Sequence, residues 1–243
     1  MPECILILGG TAESLSLAAR IAAERPADRL IVSLAGRTKT PVSPAGELRI
    51  GGFGGAEGLA AYITSERVTR LVDATHPFAI GMSHNAEKAA SVAGIPRLAL
   101  VRPEWLPQSG DRWIDADCLA AARDALPEGA RPLLALGRQH LAPFASRPDL
   151  SAVLRMVDTP DSLPFPAEVI VGKPSADWQE EAEMLARLGI THVVCRNSGG
   201  AASYAKVEAA RNLGLPVVMI RRAAAPASPV AASVDDVMAW LAG

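Results

Sequence analysis

With 243 residues, 49% of them hydrophobic and 21% charged, the chain can form one large α/β domain or two small ones. Its formal net charge of -2 gives no electrostatic reason for nucleic acid or an anionic membrane as a partner. No apolar run approaches the roughly 18 to 20 residues that cross a bilayer, and no basic segment followed by a cleavable apolar stretch opens the chain, so a cytoplasmic protein is expected.

In chain order, apolar runs predict short strands at residues 5–8, 30–34, 47–50, 70–72 and 97–101. Helical periodicity fills the gaps at 11–24, 56–66 and 80–93. Such βαβ alternation implies a parallel sheet with helices on both faces, because parallel strands need crossover connections. The stretch "RPEWLPQSGDRW", residues 102–113, holds two prolines and a glycine among polar residues and reads as a linker. A second series of strands follows at 133–136, 153–157, 169–171, 192–195 and 217–220. Residues 223–233 read as a loop before a last helix, 234–241, with Ser233 as its N-cap. The expected architecture is α/β with two parallel-sheet units, 1–103 and 104–243, the last helix being free to pack back on the first. Cys4, Cys118 and Cys195 are an odd number without CxxC spacing and are expected to be buried thiols.

The first strand runs into "GGTAES", where Gly9 and Gly10 let backbone approach a ligand and Thr11 and Ser14 add hydroxyls. In an open parallel sheet this loop faces a helix N-terminus, whose unpaired amides and partial positive charge suit a phosphate. The alternative is a tight turn that uses glycine only for backbone freedom. The second strand leads to Gly36, Arg37, Thr38 and Lys39, where an NAD site would carry a carboxylate. A guanidinium beside a hydroxyl suits the 2′-phosphate of NADP instead; a solvated basic turn is the bland reading. The fourth strand leads to "DATHPFA", which places Asp73, Thr75 and His76 at the same edge. Pro77 keeps His76 extended, as a proton donor or cofactor contact, or as a structural histidine under the loop. "GGFGG", residues 51–55, is a second glycine-rich turn there, or a flexible connection.

Successive strands of the second series each end in a base: Arg138, Lys173, Arg196, then Arg221 and Arg222. If those strands are parallel, the cations converge on one sheet edge and suit a substrate with several carboxylates, although each alone would pass for a surface charge. After Arg196 comes "NSGGAASYAK", a glycine pair leading into a helix, with Asn197 and Ser198 as donors and Tyr204 and Lys206 in the first turns. Tyr204 is placed to stack on or hydrogen-bond a large ligand. Neither Tyr62 nor Tyr204 has a lysine four residues on, so the Tyr-x-x-x-Lys dyad is missing. The four histidines lack metal-ligand spacing, no metal is expected, and neither GxSxG nor GxxxxGKS occurs.

Over nearly its whole length the chain resembles the precorrin-6A and cobalt-precorrin-6A reductase family of cobalamin biosynthesis. The resemblance rests on "ILGGTAES", "SLAGRT", "GGFGGAEGLAAYI", "VDATHPFA", "RPEW" and "RNSGGAASYAKVEAARNLGLPVVMIRR", in that order. It implies two Rossmann-like units with a substrate cleft between them, and NADPH-dependent reduction of one double bond in a multiply carboxylated tetrapyrrole. Gly9, Gly10, Thr11, Ser14, Gly36, Arg37, Thr38, Asp73, Thr75 and His76 would then lie on the cofactor side, residues 1–103. Arg138, Lys173, Arg196, Asn197, Ser198, Lys206 and Arg222 would meet substrate carboxylates from residues 104–243, with His76 and Tyr204 as catalytic candidates. Hand-over to other enzymes of the pathway also follows. Arg196 stands where the family pattern has Lys, which keeps charge and changes geometry. A conjugated macrocycle accepts hydride readily, so positioning would supply much of the rate. Two other readings keep parts of this picture: a nucleotide or tetrapyrrole sensor without turnover, and an NADPH reductase of another polycarboxylate.

Overall fold

The computed structural model describes residues 2–36 and 43–243, which form two units, Met1–Pro103 with Ala223–Gly243, and Glu104–Arg222. The first unit contains β1 (Cys4–Leu8), α1 (Ala12–Glu24), β2 (Arg29–Leu34), β3 (Glu47–Ile50), α2 (Gly55–Ser65), β4 (Arg70–Asp73), α3 (Ile80–Ala93) and β5 (Arg97–Leu100). The second contains β6 (Trp113–Ala116), α4 (Leu119–Asp124), β7 (Pro132–Ala135), β8 (Val153–Met156), β9 (Glu168–Val171), α5 (Trp178–Arg187), β10 (His192–Arg196), α6 (Ala205–Asn212) and β11 (Val217–Ile220). The chain then returns to the first unit with β12 (Val230–Ala231) and α7 (Val234–Ala242). Among the described residues no helix is long and apolar enough to cross a membrane.

Each unit is built on one six-stranded, wholly parallel sheet, in the orders β3-β2-β1-β4-β5-β12 and β9-β8-β7-β10-β11-β6. Counted from the central strand outwards, both follow the doubly wound order 3-2-1-4-5-6. The sixth place is the departure. In the first sheet it is filled by β12 from the end of the chain, Val230 pairing with Ala99 and Ala231 with Leu100. In the second it is filled by β6, which precedes every other strand of its sheet.

Strand alternation explains the layers of the first unit. Ile5 and Ile7 of β1 face Leu17, Ala18 and Ile21 of α1 and Val237 and Leu241 of α7. Cys4, Leu6 and Leu8 face the other way, onto Leu59 and Ile63 of α2 and Ala86, Ala89 and Ala90 of α3. A strand apolar at every position is what a sheet covered on both faces requires. In the second unit Leu133, Val153, Val193, Cys195 and Met219 pack with Met184 and Leu185 of α5 and Val207 and Ala210 of α6.

Residues 223–243 group with the first unit, the whole tail and not the last helix alone packing back: Ala231, Val237 and Leu241 are buried in the first core, and burial of that apolar surface draws the tail back. Three expectations are corrected. Trp113, read as linker, opens β6, and the two-residue β12 lies in what reads as a loop; both are edge strands with exposed positions, so neither shows an apolar run. Cys118 is exposed, not buried, because its sulfur caps α4 by accepting from the Ala121 amide.

Candidate functional site

In the first sheet, loops leave the carboxyl ends of β1 and β4 at the point where strand order reverses. Gly9 still belongs to the ladder, donating to the Ser33 carbonyl at 2.9 Å, and a Cβ there would lie 3.1 Å from Ser14 Oγ and 3.2 Å from Leu34. Gly10 has φ +118° with open space where its Cβ would stand, a conformation that an L side chain does not readily adopt. Thr11 and Ser14 then form a capping box. Ser14 N–H donates to Thr11 Oγ1, while Ser14 Oγ, wholly buried, accepts from the Gly10 and Thr11 amides at 3.1 Å. The first-turn amides of Ala12 and Glu13 have no intrahelical acceptor, as at any helix start.

The two loops are tied together. Thr11 Oγ1 donates to the Ala74 carbonyl at 2.9 Å, and Asp73, buried, accepts from Thr75 N and Thr75 Oγ1 in an Asx turn. His76 Nδ1 accepts from Phe78 N at 3.2 Å, which leaves the neutral ring's proton on Nε2. Thr11, Glu13, Thr75, Pro77, Leu100 and Arg102 line a groove at this edge, with Arg102 ion-paired to Glu13. That pairing offsets a carboxylate which would otherwise oppose an anion at the start of α1. Gly36 has φ +69°, a second left-handed turn at the end of β2; Arg37, Thr38 and Lys39 lie outside the described residues. The "GGFGG" turn is clamped: Arg49 donates to the carbonyls of Gly51 and Gly52, and its guanidinium lies 3.6 Å from the Phe53 ring centre.

In the second sheet the parallel order sets Arg222, Arg196, Arg138 and Lys173 at or just after the carboxyl ends of β11, β10, β7 and β9, a row spanning roughly 20 Å at ordinary strand spacing. Asp158, after β8, interrupts it. Arg138 and Lys173 are exposed. Arg196 hydrogen-bonds His140 Nε2 at 3.1 Å, so the histidine after β7 is partnered with the row. Arg222 Nε donates to the Asn197 carbonyl at 2.7 Å and lies 3.8 Å from Glu104, and Arg221 is drawn aside by Asp115 and Asp117.

Three residues expected to meet a ligand are turned inward. Asn197, only 6% exposed, accepts from Trp105 N and donates to Trp105 O, both at 2.9 Å. Tyr204 packs its ring on Trp105, and its hydroxyl accepts from Arg211, which Asp111 also holds. Lys206, 5% exposed, donates to the Ser203 carbonyl with its ammonium 5.1 Å from the Trp105 ring centre. Ser198 is buried, with its hydroxyl 3.5 Å from that of Ser203. Trp105, whose indole donates to Gly200 O, is thus the anchor of the 197–203 loop. A tryptophan inside a proline-rich polar linker is the sequence signal that points to it.

Burial pushes the Lys206 ammonium below the usual lysine value of 10.5. A lysine lowered in the folded state costs stability while protonated; that cost is full below the folded value and disappears above the usual one. Lys206→Met, similar in volume, is therefore expected to leave the melting temperature unchanged or higher at neutral pH and to change substrate KM by less than about twofold. Thermal unfolding and steady-state kinetics check both; a large rise in KM without loss of stability would return Lys206 to the substrate.

Taken together, a 3-2-1-4-5-6 parallel sheet with a positive-φ glycine and a capped helix at its switch point is a Rossmann-like fold, the class in which dinucleotides bind. The chain belongs to the family described as Precorrin-6x reductase CbiJ/CobK, whose model matches residues 4–242. It is 45% identical to a Precorrin-6A reductase of Rhodobacter capsulatus over 98% of this chain and 95% of that protein. Its identity to the Precorrin-6A reductase of Rhodococcus erythropolis is 43%, over 98% and 96% of the two chains. A solved structure titled CobK precorrin-6A reductase superposes with a TM-score of 0.94 at 45% identity, covering 99% of this chain and 96% of that one.

Proposed function

We propose that this chain reduces one ring double bond of precorrin-6A with NADPH, the first unit holding the cofactor and the second gripping the tetrapyrrole's carboxylates. Family membership supports the reaction and a reduced nicotinamide cofactor. The division of labour rests on two loops in equivalent places. After β1, Gly10 leads into a capped helix of 13 residues; after β7, the chain makes only the short 3-10 turns Arg138–His140 and Ala142–Ser146. The first offers aligned amides and a helix dipole to a pyrophosphate. The second offers cations in place of a long helix.

The residues of the first unit fit a dinucleotide. Gly10 leaves space for a phosphate, the Ala12 and Glu13 amides supply donors, and Thr11, Asp73 and Thr75 fix the two loops. Arg37 and Thr38 are assigned to the 2′-phosphate on the sequence pattern, with no carboxylate there to repel it. NADPH would supply the hydride, and a proton completes the dihydro product. His76, with its ring proton on Nε2, is the candidate donor from the first unit. Arg138, Lys173, Arg196 and Arg222 are assigned to carboxylates, and Asn197, Tyr204 and Lys206 to shaping the loop beside them. The same reading has the enzyme work in the cytoplasm and hand its product to other enzymes of cobalamin biosynthesis.

The test is stopped-flow absorbance with NADPH or NADH and precorrin-6A made enzymatically without oxygen. Loss of the reduced-nicotinamide band coupled to a change in the tetrapyrrole spectrum is expected, with NADH at least about tenfold poorer and Arg37→Ala removing that preference. NADPH that binds yet stays reduced with both the metal-free and the cobalt-containing substrate would overturn the reading in favour of a sensor.

A further inference from the structure

We infer that Glu181 and Arg155, which lie in the interior of the second unit, are positioning residues for Lys173. Lys173 sits on the loop between β9 and α5, exposed, after Gly172 at φ +141°. Among the described residues that loop has few tethers: Gly172 N donates to Met156 O, Asp177 N to Ser175 Oγ, and Ser175 N to Glu181 Oε1 at 2.9 Å. The last of these comes from a carboxylate in the first turn of α5 whose other oxygen, Oε2, accepts from Arg155 Nη1 of β8 at 2.6 Å. Side-chain exposures are 9% for Arg155 and 3% for Glu181, so this is a buried ion pair.

Such a pair is a poor way to gain stability, because desolvation of two charges cancels most of their attraction and apolar replacements of similar volume are often as stable. What an apolar pair cannot do is accept the Ser175 amide. One Glu181 oxygen holds the loop two residues from Lys173, and Arg155 holds the carboxylate, its Nη2 lying 3.7 Å from Met184 Sδ. The ion pair thereby transmits the rigidity of the sheet to an otherwise loosely held cation. An ordered ammonium loses less freedom when it meets a carboxylate, which is where the gain in substrate affinity arises.

This inference rests on the assignment of Lys173 to a substrate carboxylate, and a double-mutant cycle separates the two. Lys173→Ala is expected to raise tetrapyrrole KM roughly tenfold in the natural background, with kcat and NADPH affinity unchanged. In Arg155→Met/Glu181→Leu, KM is expected to be raised already, and adding Lys173→Ala should change it by less than about twofold. In Arg155→Met/Glu181→Gln, where an amide oxygen still accepts the Ser175 N–H but Arg155 no longer holds the side chain, a part of the effect of Lys173→Ala should return, between the natural and leucine values; this arm also serves if the leucine variant fails to fold. Equal effects of Lys173→Ala in the natural and leucine backgrounds would overturn the positioning role and leave the Lys173 assignment standing. No effect of Lys173→Ala in the natural protein would overturn both.

Discussion

Asn197→Ala is expected to lower the melting temperature by roughly 5–15 °C and to unfold the second unit first. The reason is that one buried amide serves both the N–H and the C=O of Trp105, each at 2.9 Å. Alanine leaves two backbone groups without partners in a dry place, at about 1–3 kcal/mol each, or about 2–6 kcal/mol together. Asn197→Asp should recover little: one oxygen can still accept from Trp105 N, but the other then faces the Trp105 carbonyl with no hydrogen between them. Loss of the clamp also frees the 197–203 loop, so tetrapyrrole KM should rise along with the fall in stability while NADPH affinity holds. Differential scanning calorimetry with NADPH and substrate titrations distinguishes this from a direct role on substrate, which would raise KM and leave the melting temperature where it was.

Gly10→Ala should weaken NADPH binding at least about tenfold. Space is no obstacle, since nothing lies within 4 Å of the added Cβ; the backbone is, at φ +118°. An alanine either holds that conformation at a cost of about 1–3 kcal/mol or relaxes and turns the amides at the head of α1 away from a phosphate. Gly129→Ala is the control, because it too has positive φ, at +70°, and open space, but lies in the second unit. Both variants should lose stability, and fluorescence titration should show weaker NADPH binding only for the first. Equal NADPH affinity in the two would show that Gly10 serves the turn alone.

The parallel framework was legible because strands covered on both faces are apolar throughout, and β1, with all five residues buried, is the extreme case. Of the edge strands, β3 and β9 were legible at 47–50 and 169–171, while β6 and β12 were not, since they lie in partly exposed stretches that read as linker and loop. The Ser233 cap followed from local chemistry that acts within three residues, whereas Thr11, read as the first helical residue, caps α1 instead. The inward partners of Asn197 and Lys206 were hidden for the opposite reason. Their partner, Trp105, stands 92 residues before Asn197, and nothing local in "RNSGG" reveals that an aromatic linker residue will occupy its donors. The short turns after β7 were also hidden: "GRQHLAPF" looks like the end of a strand, and only the structure shows that no long helix follows.

The sixth strand of the first sheet has a consequence for how the protein is made. β12 and α7 leave the ribosome after the whole of the second unit, yet they close the sheet that β1 to β5 began. While residues 104–243 are being added, on the order of ten seconds at common elongation rates, the β5 edge and the apolar side chains beneath α7 stay uncovered. The second unit, continuous in the chain, can finish before the first does. The nascent chain therefore carries an open strand edge until β12 emerges, and a ribosome that stalls between the second unit and β12 releases a protein whose flaw lies in the unit begun earlier of the two.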